Sequence, residues 1–143
     1  MHASYDTDFY AWIQEQTALL RAGKLNELDT ANLIEEIESM GKKERRELLS
    51  RITLLLAHLL KWKYQPSHSG SSWRNTIAEQ RREIPKILKD SPSLKRLVPE
   101  FFAEGYEDAR KWAQDETGLP LATFPEVCPW TYDEAMTVGY YPQ

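Results

Sequence analysis

Cysteine is nearly absent from this chain of 143 residues, since Cys128 is the only one. A single cysteine excludes an internal disulfide and fits a reducing compartment. No apolar run approaches the roughly 20 residues that a transmembrane helix requires. The first six residues lack the basic and apolar regions of a secretory signal. Together with the length, these absences predict one cytoplasmic domain over residues 1–143, with no membrane span.

Positive charge is scarce outside the middle of the chain. Residues 42–96 hold 14 Lys and Arg against 5 Asp and Glu, whereas the flanks hold 4 against 17. Such asymmetry is typical either of a basic surface for a polyanion or of acidic flanks that neutralise a basic middle. The overall net charge of −4 favours the second interpretation.

Helical periodicity dominates the first half of the sequence. Apolar residues recur at helical spacing over residues 6–22, and Gly23 follows as a C-terminal stop. A second helix is predicted from about Asp29, a good N-cap, to Tyr64, continuous across Gly41. Its apolar stripe consists of Leu33, Ile34, Ile37, Met40, Leu48, Ile52, Leu55, Leu56 and Leu59. We expect the half from Ile52 to Leu60, which is nearly all apolar, to be buried on several sides.

Two further helices and an irregular tail follow a Ser- and Gly-rich loop. The third helix contains Pro85, which should kink or split it. The fourth helix should begin with a separate short piece near Pro99 and end at Gly118. Prolines preclude a long helix in residues 119–143, yet the aromatic content is too high for a solvated tail. The predicted fold is therefore all-α: a four-helix bundle-like domain with one long central helix and an ordered C-terminal strap, residues 119–143.

An ordered series of short motifs resembles a known family. The series comprises Tyr5-Asp6-x-Asp8-Phe9-x-x-Trp12, Leu28-Asp29-x-x-Asn32-Leu33-x-Glu35-Glu36-Ile37-Glu38-x-Met40-Gly41, His58-Leu59-Leu60-Lys61-Trp62, Ser72-Trp73-x-x-Thr76-Ile77 and Phe124-Pro125-x-x-Cys128-Pro129-Trp130. From Tyr5 to Pro142 the chain resembles the bacterial domain-of-unknown-function family twenty-nine. The resemblance implies an all-helical fold in a bacterial cytoplasmic protein. It assigns neither an activity nor catalytic residues.

Arg51 and His58 are the candidate catalytic residues, spaced as Arg-x6-His on the long helix. HEPN-type ribonucleases carry a similar signature, in which the histidine would move a proton at the ribose 2′-hydroxyl and the arginine would hold the phosphate. The favoured interpretation is structural. Glu47 lies four residues before Arg51, which suits an ion pair, and Trp62 lies four residues after His58 and could stack on it.

Five cations near the second interhelical loop are candidates for binding nucleic acid. They are Lys61, Lys63, Arg74, Arg81 and Arg82, and they are interleaved with Trp62, Tyr64 and Trp73. Such a mixture suits phosphate contact and base stacking. The favoured alternative is that the tryptophans are core anchors and the cations extend around them to solvent.

Metal and thiol chemistry have little support in the sequence. Glu35, Glu36 and Glu38 invite a di-iron site, but the chain has no Glu-x-x-His pair, and His2 and His68 lie outside the predicted helical core. We expect no metal and no cofactor. Cys128 has no neighbouring His or Lys in sequence to lower its pKa, so a structural thiol is expected.

The function favoured by the sequence is that of a non-catalytic interaction or regulatory protein acting through helical surfaces. Its partner would be an unknown protein or a second copy of the chain. One alternative is an RNA-directed nuclease or toxin-type enzyme that uses Arg51 and His58. The other is nucleic-acid binding through the basic middle of the chain.

Overall fold

The computed structural model describes residues 4–143, and within this range it contains helices and no strand. The helices are α1 (Phe9–Arg21), α2 (Thr30–Tyr64), α3 (Ser71–Asp90), α4 (Val98–Thr117) and α5 (Tyr132–Met136). Short 3-10 turns occupy Leu25–Glu27, Pro66–His68, Pro92–Leu97 and Leu121–Thr123. The predicted all-α class with one long helix is confirmed.

The chain forms two compact units, Met1–Lys43 and Glu44–Gln143, which we call the N-terminal unit and the C-terminal unit. Helix α2 contributes residues to both. It runs 35 residues without interruption past Gly41, which confirms the predicted continuity. That one domain covers residues 1–143 stays a prediction.

The N-terminal unit pairs α1 with the beginning of α2. Asp8 caps α1 by accepting a hydrogen bond from the Ala11 amide at 3.1 Å, so the helix begins later than the sequence predicted. It ends at Arg21, and Gly23 follows with a φ of +73°, the left-handed conformation that glycine adopts easily. The Trp12 indole donates to Asp29 at 2.9 Å, and the Asp29 amide donates to the Gln16 side-chain oxygen at 2.8 Å.

The hydrophobic core of the C-terminal unit is centred on the second half of α2. The fully buried α2 residues are Leu48, Ile52, Leu55, Leu56, Ala57, Leu59 and Leu60, and they pack with apolar residues of α3, α4 and the tail. The predicted burial of this half of α2 on several sides is confirmed. Since each buried aliphatic side chain contributes roughly 1.5–3 kcal/mol, this core is the main source of the stability of the unit.

The tail after α4 is ordered and packed, as predicted for the strap. Phe124, Trp130 and Ala135 belong to the core cluster. The Tyr106 hydroxyl donates to the Pro125 carbonyl at 2.5 Å, and the Arg110 guanidinium donates to the Phe124 carbonyl at 3.0 Å. These bonds satisfy backbone groups that a segment without regular structure cannot satisfy by itself.

Pro85 does not split α3, which is a single helix from Ser71 to Asp90. The prediction that Pro85 splits this helix is therefore wrong. Ile84 and Leu88 are buried on either side of it. Tertiary packing of this apolar face holds the helix together although proline removes one backbone donor. Near Pro99 the predicted separate piece is present as the 3-10 turn Pro92–Leu97.

Two helical glycines should respond oppositely to alanine. A Cβ at Gly41 would meet nothing within 4 Å, whereas a Cβ at Gly105 would lie 3.1 Å from Ile52 Cγ2 and 3.2 Å from Thr53 Oγ1. Both substitutions gain about 1 kcal/mol of helix propensity. Only Gly105→Ala also overpacks the core. We therefore expect the free energy of unfolding of Gly105→Ala to be roughly 1–3 kcal/mol lower than that of Gly41→Ala. Urea unfolding of both variants at one protein concentration measures this difference, and equal stabilities would contradict the close approach of α4 to α2.

Candidate functional site

Arg51 is held on the surface of α2 by two side-chain partners. Its Nε donates to the Glu47 carboxylate at 3.2 Å, and its Nη1 donates to the Gln80 side-chain oxygen on α3 at 3.1 Å. The predicted pairing with Glu47 is confirmed. A guanidinium held in this way has fewer free donors for a phosphate than an unpaired one.

His58 is buried, with 8% of its surface exposed. Its Nδ1 lies 2.8 Å from the Leu54 carbonyl one turn earlier, and because a carbonyl only accepts, Nδ1 carries the proton. Trp62 packs on Tyr141 with ring centroids 4.6 Å apart. Stacking of Trp62 on His58 stays a prediction.

Burial lowers the pKa of His58 below its ordinary value of 6.5, and the nearby Lys61 charge lowers it further. The hydrogen bond to Leu54 and the Glu116 carboxylate oppose this shift without cancelling it. The imidazole is therefore neutral at pH 7.

The folded protein should lose stability as the pH falls below about 6.5, because His58 takes up its proton more readily when unfolded. Between pH 7.5 and 5.5 we therefore expect this residue to account for part of the loss of stability. Urea unfolding at the two pH values should show a smaller loss in His58→Gln than in the wild type. His68→Gln, at an exposed histidine, is the matched control and should behave like the wild type. Identical losses in all three proteins would contradict the role of His58.

Two of the five candidate nucleic-acid-binding cations are buried. Lys61 lies over the Trp73 ring, with its Nζ 5.0 Å from the centroid, and burial lowers its pKa. Arg81 donates from Nε to the Ala135 carbonyl at 2.9 Å and from Nη2 to the Tyr140 carbonyl at 2.8 Å. Arg81 thus joins α3 to the strap. Replacing Arg81 by Glu would therefore test the folding of the strap rather than the binding of nucleic acid.

The other three cations lie nearer the surface. The exposed Arg74 guanidinium lies 5.6 Å from the Trp62 ring and 5.5 Å from the Tyr141 ring, while Lys63 lies over Tyr64 at 5.7 Å. Arg82 is exposed. The structure thus brings Arg74 and Arg81 together around Tyr141, which lies 5.7 Å from Arg81. That these cations bind nucleic acid stays a prediction.

An apolar groove in the N-terminal unit is a feature that the sequence reasoning missed. It measures about 280 Å³ and is lined by Phe9, Trp12, Ile13, Gln16, Thr17, Leu20, Leu33, Glu36, Ile37 and Met40. Phe9, Ile13, Leu20, Ile37 and Met40 are 44%, 43%, 51%, 62% and 58% exposed. The apolar stripe of α2 is therefore buried only in its second half. The helical periodicity of residues 33–40 could have revealed an unpartnered face, because a two-helix unit has only one partner helix to cover it.

The groove has a fixed polar edge. Gln16 is buried and accepts from the Asp29 amide, and its own Nε2 has no hydrogen-bond partner. Because the Asp29 amide needs an oxygen to accept its proton, the orientation of the Gln16 amide is determined. A buried amide donor without a partner costs about 1–3 kcal/mol of stability.

The three glutamates considered for metal binding lie on α2 beside Tyr5. The Tyr5 hydroxyl donates to the Glu36 carboxylate, and this bond, together with burial and the neighbouring negative charges, raises the pKa of Tyr5 to about 12. In residues 4–143 no three His, Cys, Asp or Glu side chains are grouped so that they could hold a metal ion. His2 lies outside the described residues.

Cys128 is half-buried in the strap. Burial raises the pKa of its thiol to about 11, although a backbone hydrogen bond from Trp130 opposes the shift. A thiol with so high a pKa is protonated at neutral pH and is a poor nucleophile. This agrees with the structural role expected from the sequence.

Three comparisons complete the description of the chain. A family model described as "Domain of unknown function DUF29" matches residues 4–141, which confirms the resemblance seen in the motifs. No curated protein and no solved structure matches the chain significantly. Across residues 4–143, each helix is either too short or too polar to cross a lipid bilayer.

Proposed function

We propose that this chain, which belongs to the DUF29 family, is a non-catalytic interaction module that works through the apolar groove of its N-terminal unit. The observation that carries the proposal is the exposure of five large apolar side chains along one groove. The single cysteine and the family resemblance support a bacterial cytoplasmic location.

Exposed apolar surface of this kind favours binding. These side chains are about half exposed, so a partner that covers them adds roughly half of the 1.5–3 kcal/mol for complete burial of each one. Contiguous apolar patches are typical of interaction sites. The groove is also preformed, because Trp12, Gln16 and Asp29 fix α1 against α2 by hydrogen bonds. A preformed site loses little conformational entropy when a partner binds.

The nuclease alternative has less support. A general base must reach the proton that it removes, and its pKa works best near the operating pH. His58 is buried, its Nδ1–H is occupied by the Leu54 carbonyl, and its pKa is lowered. Binding of nucleic acid is also less favoured, since Lys61 and Arg81 are buried and the net charge is −4.

Site-specific photo-crosslinking in living cells tests the proposal. A photoreactive phenylalanine analogue at Leu20, in the groove, is compared with one at Glu104, an exposed position of α4. We expect one discrete adduct from position 20, none from position 104, and loss of the adduct when Ile37→Glu is added. No adduct from the groove would overturn the proposal.

A second arm addresses the nuclease alternative. Purified wild type, Arg51→Ala and His58→Ala are incubated with mixed RNA without metal. We expect no cleavage by any of them. Cleavage by the wild type that both substitutions abolish, with helical circular dichroism unchanged, would replace the proposed function by the nuclease.

A further inference from the structure

We infer that a cavity between α3 and the strap binds a small organic carboxylate, whose charged group is held by Arg81 and whose apolar body packs on the cavity wall. The cavity measures about 210 Å³ and is lined by Ala78, Arg81, Arg82, Val138, Gly139 and Tyr141. All of these residues belong to the C-terminal unit. The inference therefore goes beyond the proposed function and is independent of the apolar groove.

Arg81 is a buried cation without a counter-ion. It is 6% exposed, and its hydrogen bonds go to two neutral carbonyls, those of Ala135 and Tyr140. Across residues 4–143 no carboxylate forms an ion pair with it. Burial lowers the pKa of Arg81, yet a guanidinium stays protonated at neutral pH. Because a buried charge without a partner of opposite sign is costly, a bound anion would stabilise this site.

One nitrogen of the Arg81 guanidinium is left for a ligand. Nε and Nη2 donate to the strap carbonyls at 2.9 Å and 2.8 Å, whereas Nη1 donates to no group in the described part of the chain. Solvent reaches Nη1, since the fully buried side-chain nitrogens without a partner in this range belong to Gln16 and Arg110. Arg81 lines the cavity, so Nη1 is the donor that it offers there. Hydrogen bonds from a guanidinium to a carboxylate are short and strong.

The surroundings of the cavity add positive charge. Arg82 lines the cavity and is exposed. The Arg74 guanidinium lies 5.5 Å from the centroid of the Tyr141 ring, which forms part of the wall. None of the six lining residues is acidic. The local charge thus favours an anion, although the net charge of the whole chain is −4.

The wall and the size of the cavity favour a carboxylate with an apolar body over phosphate. Ala78 and Val138 have apolar side chains, and Tyr141 contributes an aromatic ring. Dehydration of a dianionic phosphate in such surroundings costs more than that of a carboxylate, whose single charge matches that of Arg81. The volume lies below the roughly 300–1,000 Å³ of sites for drug-sized ligands, so the ligand is small.

Titration with benzoate at constant ionic strength, followed by NMR, tests the inference. We expect the amide signal of Gly139 to shift saturably, with a dissociation constant of roughly 1 mM for so small a ligand. Benzamide has the same shape without the charge and should bind roughly tenfold more weakly. Inorganic phosphate, which has no apolar body, should also bind more weakly than benzoate.

Three outcomes of these titrations would overturn the inference. The absence of a saturable shift up to roughly 30 mM benzoate would show that the cavity is not a site. Benzamide that binds as tightly as benzoate would show that the charge of Arg81 is not used. Phosphate that binds more tightly than benzoate would show that the ligand is not a carboxylate with an apolar body.

Ala78→Phe tests the location of the ligand, because its ring would occupy the cavity. We expect it to weaken benzoate binding at least roughly tenfold with unchanged circular dichroism. Ala103→Phe, at an exposed position of α4, is the matched control and should bind like the wild type. Wild-type affinity in a folded Ala78→Phe variant would refute the location.

Charge reversal at the entrance gives a second test that does not depend on filling the cavity. Arg82→Glu should weaken benzoate binding about fivefold, because a nearby attractive charge becomes repulsive. Lys89→Glu, at another exposed cation of α3 two turns further along, should have little effect, since salt screens charges beyond about 10 Å. Equal affinities of the two variants would contradict binding of the carboxylate beside Arg82.

Discussion

Trp130→Ala is expected to lower the free energy of unfolding by roughly 3–5 kcal/mol, the range for removing a buried aromatic side chain. Trp130 is 5% exposed and belongs to the core cluster of the C-terminal unit. Its removal leaves a cavity that the surrounding α-helices can fill only in part. Urea unfolding followed by circular dichroism measures the loss.

The matched control is Val138→Ala, in the same strap at a position 85% exposed. It should change stability by no more than about 0.5 kcal/mol. Limited proteolysis adds a local readout: Trp130→Ala should be cut between Leu119 and Gln143 faster than the wild type, because the strap opens more often. A loss below about 1 kcal/mol for Trp130→Ala would show that the strap contributes little to the core.

Arg81→Met should cost roughly 3 kcal/mol. The guanidinium donates to the carbonyls of Ala135 and Tyr140, and hydrogen bonds from a charged donor are worth about 1.5–3 kcal/mol each. The methionine removes both donors and leaves the carbonyl of the buried residue Ala135 without its partner. The gain from no longer burying a charge offsets part of the loss.

Arg82→Met is the control for Arg81→Met, because Arg82 is the exposed neighbour on the same helix. It should leave stability within about 0.5 kcal/mol of the wild type. Arg81→Lys should restore only part of the loss, because an ammonium lacks the planar fork that reaches two carbonyls in fixed directions. Equal unfolding free energies for Arg81→Met and Arg82→Met would refute the anchoring of the strap by Arg81.

Local sequence patterns determined the helices of this protein. The 3.6-residue period predicted α1 and α2, and it predicted that α2 passes Gly41 without a break, because a single glycine costs only about 1 kcal/mol in a long helix. Gly23 and Gly118 marked helix ends because both adopt positive φ, at +73° and +75°. The aromatic content of residues 119–143 predicted a packed strap, because exposing so much apolar surface to water is unfavourable.

Only the tertiary structure decided which of these residues are accessible. Arg81 and Arg82 are adjacent cations with the same sequence environment, yet one is buried under the strap and the other is exposed. The partners that distinguish them, Ala135 and Tyr140, lie more than fifty residues away.

The apolar stripe of α2 gives a second example, because it is one continuous pattern in the sequence but differs in burial along its length. The buried residues between Leu48 and Leu60 pack with α3, α4 and the strap, whereas the apolar residues between Leu33 and Met40 line an open groove together with α1. Periodicity fixes the direction of a side chain around its helix, but burial depends on which distant segments pack against that face.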